Sequence, residues 1–194
     1  MPNTDSTPRV TVLAGPTSVG KSTLSRYIRS TFPQVHFSVS ATTRPARPGE
    51  VHGEDYLFLG EEQFDQLLER DAFLEWAVVH KKHRYGTLRS TVEDALAEGK
   101  NVLLEIDLQG ARQVRAKLPE AQFVFLAPPT FEDLVHRLIG RGTESEEEQQ
   151  RRLETARIEL AAEPEFDVTI INDDVDRAAR ELIARMGIEL TTNA

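Results

Sequence analysis

The chain has 194 residues, the size of one domain and enough to bury a core without staples. It contains no cysteine, which excludes a disulfide scaffold, a thiolate metal site and a thiol nucleophile together. Its net charge of −9 disfavours long nucleic acid as a partner, and no apolar run approaches the ~18 residues of a membrane span.

Residues Met1–Pro8 and Thr191–Ala194 read as frayed tails. The start is polar and acidic rather than a secretory leader, so the expectation is a cytoplasmic protein. Val10–Ala14 is a short apolar run that reads as a buried parallel strand. It leads into Gly15-Pro16-Thr17-Ser18-Val19-Gly20-Lys21-Ser22, which fits the phosphate-loop pattern G-x-x-x-x-G-K-[ST]. Glycines let the backbone curl so that several N–H groups face one phosphate. A helix over Ser22–Ser30 then aims its positive end at the same anion. Lys21 can reach the β- and γ-phosphates, and the Ser22 hydroxyl can bind Mg²⁺. This predicts a nucleoside triphosphate but not where its phosphoryl group goes.

Val35–Gly86 mixes short strand-like pieces with turns and reads as an insertion carrying a small sheet. Within it, Thr42–Gly49 places Arg44 and Arg47 three apart on a turn stiffened by prolines, a candidate phosphate clamp. The phenols of Tyr56 and Tyr85 are candidate donors to the same anion. Glu75 lies in the otherwise apolar segment Phe73–Ala77. A carboxylate there either pairs with a cation or receives a ligand's donors. Guanine offers two adjacent donors to one carboxylate, whereas adenine has no such pair.

A helix over Arg89–Ala97 and a strand over Asn101–Ile106 follow. Glu105 and Asp107, where that strand ends, are candidates for handling a metal or its water shell. Asp107 equally suits the N-cap of a helix over Gln109–Lys117. Gln122–Ala127 is a strand, Phe131–Ile139 a helix, Glu146–Ala162 a charged helix, Val168–Ile171 a strand and Val175–Met186 a helix. The charged stretch Gly140–Pro164 is either a mobile cap over a site or a solvated face. Strand–helix alternation of this kind predicts a three-layer α/β domain with a parallel sheet.

Seven segments together resemble the guanylate kinase family, in order and over nearly the whole chain from Arg9 to Met186. They are GPTSVGKST, FSVSATTRPARPGEVHGEDY, FLEWA, RYGT, LEIDLQGARQV, RLIGRGTESEE and IINDD. The resemblance implies a P-loop α/β fold that transfers phosphate from ATP to GMP or dGMP with Mg²⁺. It implies a core over about 9–34, 88–128 and 165–190, a GMP-binding region over about 35–87 and a helical lid over about 129–164. By motif, Gly15 to Thr23 (Gly15, Pro16, Thr17, Ser18, Val19, Gly20, Lys21, Ser22 and Thr23) would hold ATP, with Asn172 near adenine. Arg137, Arg141 and Arg152 would close over ATP and, with Lys21 and Arg44, serve catalysis. Arg44, Arg47, Tyr56 and Tyr85 would hold the GMP phosphate, and Ser40, Glu75, Thr87, Glu105 and Asp107 would surround the rest of GMP. Ser22 would meet the metal, with Glu105 or Asp107 acting through water.

Two departures stand out. His80-Lys81-Lys82-His83-Arg84 replaces the Gly-Asn that usually precedes Tyr-Gly-Thr in the family, and Thr17-Ser18 stands where Ser-Gly is frequent. Two other readings fit less well: a guanylate-kinase-like binding module without catalysis, and a relative phosphorylating a ribose bisphosphate. The retained Lys21 and lid arginines count against the first, and Ser40 with Glu75 against the second. The sequence sets no oligomeric state.

Overall fold

A computed structural model describes residues 8–79, 82–139 and 145–189. In chain order its elements are β1 (Val10–Ala14), α1 (Lys21–Thr31), β2 (Val35–Phe37), β3 (Ala41–Thr42), β4 (Leu57–Phe58), α2 (Glu61–Glu69), β5 (Phe73–Val79) and β6 (His83–Leu88). There follow α3 (Arg89–Ala97), β7 (Asn101–Glu105), α4 (Leu108–Lys117), β8 (Gln122–Ala127), α5 (Phe131–Ile139), α6 (Glu146–Leu160), β9 (Val168–Ile171) and α7 (Val175–Arg185). A single 3₁₀ turn, Glu163–Glu165, joins α6 to β9.

The core sheet has the order β2-β7-β1-β8-β9, and every pairing in it is parallel. β1 lies at its centre and is buried at every position, as a strand covered on both faces must be. Side chains alternate across it. Leu13 packs with Leu24 and Ile28 of α1 and with Leu182 and Ile183 of α7. Val10, Val12 and Ala14 pack with Val92 and Ala95 of α3 and with Ala111 and Val114 of α4. Helices therefore cover both faces, which is the three-layer arrangement the alternation predicts.

A second sheet, β4-β3-β6-β5, is mixed: β3 pairs parallel with β4, and β6 pairs antiparallel with both β3 and β5. Its small core is built on Phe64 of α2 stacked 4.4 Å from Phe73 of β5.

The structure departs from the sequence reading in three places. Val35–Phe37 starts no insertion; it is an edge strand of the core sheet, in register with Asn101–Leu103. Helix α2 was absent from the reading of this region as strands and turns. Phe64, Leu67 and Leu68 recur at helical spacing there, and the Gln63 side chain accepts a bond from the Gly60 N–H. Helix α6 stops at Leu160, two residues early.

Gly86 of β6 lies against Trp76 of β5 and is forced by packing rather than by its backbone angles. A Cβ there would sit 2.7 Å from both the Glu75 carbonyl oxygen and the Phe73 ring. Neither neighbour can retreat cheaply, because both belong to the same strand. Gly86→Ala should therefore cost about 1–3 kcal/mol and lower Tm by roughly 2–12 °C. An unchanged thermal transition would refute this packing account.

Candidate active site

Two clefts open at the carboxyl ends of the core strands and share Ser22 in their walls. One, of about 650 Å³, lies between the phosphate loop, α5, α6 and the segment after β9. The other, of about 270 Å³, lies between α1, β2, the second sheet and the end of β7.

The phosphate loop is shaped by its glycines and held by distant side chains. Gly15 presses on the Leu126 carbonyl of β8, where a Cβ would approach to 2.3 Å. Gly20, with φ of 104°, sits against the Asn172 amide, where a Cβ would approach to 2.6 Å. Ser18 takes a left-handed φ of 65°. The Val19 carbonyl accepts bonds from Arg137 at 2.9 Å and from Asn172 at 2.8 Å. Asn172 is only 8% exposed, so this second bond is well shielded. The Thr17 N–H and hydroxyl both donate to Glu159 of α6, at 2.7 and 3.2 Å.

Helix α1 has Gly20 as its N-cap, with no side-chain cap and no acidic residue in its first turn. By contrast, Asp107 caps α4 and Asp174 caps α7. The first N–H groups of α1 are thus left to an external acceptor, and an anion suits them. Lys21 donates to the loop's own carbonyls, Gly15 at 2.6 Å and Pro16 at 3.0 Å. Burial lowers its pKa, and the carboxylates of Glu159, Glu105 and Asp107 oppose that shift. The Ser22 hydroxyl donates to Glu105 at 2.9 Å. Thr23 and Arg152 complete the donor-side wall.

On the other side, Arg44 is already ordered. It makes a two-pronged pair with Glu50 at 2.8 and 2.9 Å, donates to the Tyr85 hydroxyl at 3.2 Å, and lies over the Tyr56 ring. The Arg47 N–H donates to the same Glu50 at 2.7 Å, but its side chain is exposed. Of the two arginines of the candidate clamp, Arg44 is thus fixed and charge-paired by Glu50, and Arg47 is exposed. Glu50 was not among the candidate residues, although it closes the same proline-rich turn. Glu159 also escaped the sequence reading. It lies 142 residues from its partner Thr17, and no local pattern links them.

Glu75 is 7% exposed. Thr87, its cross-strand neighbour, donates its hydroxyl at 2.7 Å. Glu75 has no ion-pair partner among the described residues, so the salt-bridge alternative does not hold. Burial raises its pKa, and the charge of Asp107 adds to the shift. Gly110 makes this approach feasible, because a Cβ there would stand 3.0 Å from the Glu75 carboxylate and 3.2 Å from Asp107. Asp107 accepts from the Gly110 N–H at 2.7 Å, so it is a helix cap that also stands near the Glu75 carboxylate. Ser40, Tyr56, Thr87 and Glu105 line the smaller cleft, and Glu75 meets that wall through its bond to Thr87 and Arg44 through the Tyr56 ring.

Arg141 lies outside the described residues, as do His80 and Lys81. Of the basic run, Arg84 pairs with Glu61 and Asp65 of α2, which ties it to the scaffold rather than to the cleft. The described residues contain no cluster of three or more metal-ligating side chains. A Mg²⁺ that arrives on phosphates needs no such cage, since one or two protein oxygens suffice. Ser22 and Glu105 carry two such oxygens, 2.9 Å apart.

The geometry agrees with three comparisons. The guanylate kinase family model matches residues 7–187. Guanylate kinase of Leifsonia xyli is 59% identical over 175 residues, covering 90% of this chain and 69% of that one. Guanylate kinase of Streptomyces coelicolor is 56% identical over 180 residues, covering 93% and 91%. The crystal structure of guanylate kinase from Anaplasma phagocytophilum superposes with a TM-score of 0.69 at 29% identity, covering 97% of this chain and 89% of that one. With a family model spanning nearly all of it and close relatives matched along most of their length, the chain belongs to the guanylate kinase family.

Proposed function

We propose that the chain transfers the terminal phosphoryl group of ATP to GMP, and to dGMP, with Mg²⁺. The observation that carries this reading is Glu75: a buried carboxylate, without an ion-pair partner among the described residues, bonded to Thr87 in the wall of a cleft that shares Ser22 with a phosphate loop. Guanine's ring N–H and exocyclic amine would give that carboxylate the two donors it lacks.

The larger cleft would take ATP. Gly15 to Thr23 would wrap its phosphates, and Lys21 would leave the loop carbonyls for the β- and γ-oxygens. Asn172 would lie near adenine. In the smaller cleft, Arg44, Arg47, Tyr56 and Tyr85 would hold the acceptor phosphate, while Ser40, Glu75, Thr87 and Asp107 would read guanine. Mg²⁺, when bound at Ser22 with Glu105 or Asp107 behind its waters, would supply charge neutralisation on the donor phosphates. Arg137, Arg141 and Arg152 would add positive charge to the moving phosphoryl as the segment over about 129–164 closes. Catalysis then rests on alignment and electrostatics, with water kept out until both nucleotides are present.

The deciding experiment measures ADP release from ATP and Mg²⁺ with GMP, dGMP, AMP, CMP, UMP and ribose bisphosphate as acceptors. Turnover confined to GMP and dGMP is expected. Turnover with another acceptor would discard the guanine reading, and silence with all of them would favour a binding module.

Glu75→Gln places a donor against guanine's donors. GMP KM should rise about 100-fold, against less than threefold for ATP. Equal effects on the two substrates would remove Glu75 from base recognition.

The same substitution also has a stability signature. A carboxyl whose folded pKa is raised contributes stability below its unfolded pKa, and loses it as pH rises through the folded value. Without nucleotide, Glu75→Gln should therefore melt above wild type at neutral pH. The gap should close as pH falls through that raised range. Thermal scans from pH 4 to 8 check this, and a gap independent of pH would contradict it.

A further inference from the structure

Arg29 is the only cationic side chain among the described residues lining the smaller cleft. It lies on α1, two turns beyond Lys21. Its guanidinium carbon rests 3.7 Å from the centroid of the Phe37 ring, which β2 holds in the core. A stacked guanidinium keeps its N–H edge free for hydrogen bonds. Among the described residues that edge has neither a hydrogen-bond nor an ion-pair partner. Of the groups that act on it electrostatically, Glu105 is the one charged at neutral pH and Tyr56 is a neutral phenol, and both line this cleft. Asp55 in the same wall is engaged with the Val51 N–H at 2.7 Å. Arg44, the residue the motif assigns to phosphate, is spent on Glu50.

We infer that Arg29 is a further acceptor-binding residue, donating to the phosphate of the nucleoside monophosphate from the α1 side of the cleft. This rests on the phosphotransfer reading above and extends it to a residue outside the recognised motifs. The acceptor phosphate would then lie between two arginines, Arg29 on α1 and Arg44 behind the Tyr56 ring. Arg44 would be pre-ordered and partly neutralised, and Arg29 would carry the uncompensated charge. The Phe37 ring would limit the side-chain freedom that binding has to remove.

The test compares a ligand with the phosphate to one without it. Affinities for GMP and guanosine are measured by calorimetry, without ATP, on wild type, Arg29→Met and Arg29→Lys. Methionine keeps helix propensity and an apolar cover on Phe37. In Arg29→Met, GMP affinity should fall about tenfold while guanosine affinity stays within twofold. Arg29→Lys should recover part of the loss, since it restores charge but not the planar stack. The GMP affinity of wild type should also fall more steeply with salt than that of Arg29→Met.

Unchanged GMP affinity in Arg29→Met would overturn the assignment. So would equal losses for GMP and guanosine, which would make Arg29 a structural cover for Phe37. Wild type that binds and turns over GMP while Arg29→Met matches it would refute Arg29 alone. Wild type that fails to bind GMP would remove the phosphotransfer reading, and this inference with it.

Discussion

A carboxylate moved out of water loses hydration that one hydroxyl donor does not replace. Glu75 is held in that condition by the fold around it. The β5–β6 register puts Thr87 opposite it, and Gly86 brings the two strands close. Gly110 clears the space that lets Glu75 approach the amino end of α4. Each of these features makes the site costly when empty and complementary when two donors arrive together. On the guanine reading proposed above, affinity for the base would be stored in the folded protein as a buried carboxylate bonded to one hydroxyl. A salt bridge would have stabilised the chain and left nothing to read a base.

The donor side solves a different problem. Its anion is larger and more highly charged, and backbone N–H groups can meet it without discrimination. What the fold must supply there is shape. Two glycines allow close approach to Leu126 and Asn172, and Arg137 with Asn172 fixes the Val19 carbonyl between them. Lys21, satisfied by loop carbonyls, can exchange them for phosphate oxygens with little net loss of hydrogen bonds. One side thus discriminates by withheld partners, and the other grips by a preformed curve.

Local patterns made the core strands, most helices and the phosphate loop legible in the sequence. An apolar run, a glycine pattern and a helix start are each written within a few neighbouring residues. Helix α2 was missed because its apolar positions are three, and the turns around it dominated the reading. β2 was assigned to the wrong sheet because three residues carry no partner information. Glu75 stood out as a charge in an apolar stretch, yet nothing local excluded a salt bridge. Arg29 was silent, since a lone arginine on an amphipathic helix reads as a solvated face. Only the placement of Phe37 beneath it gives it meaning. Glu50 and Glu159 illustrate the same limit, because a carboxylate's partner is a fact of tertiary structure.

The ties on the phosphate loop also bear on how the protein is made. Its motif is complete by Ser22, but its shaping partners Arg137, Glu159 and Asn172 belong to the last third of the chain. The smaller cleft, by contrast, draws all its lining residues from Ser22 to Ile106. Synthesis runs from the amino end, so the acceptor half is available for folding well before the donor half can be finished. A growing or truncated chain that ends before Arg137 carries the full nucleotide signature but not the side chains that set its curvature. Such a fragment would spend no ATP, and competence for transfer would arrive only near the end of translation.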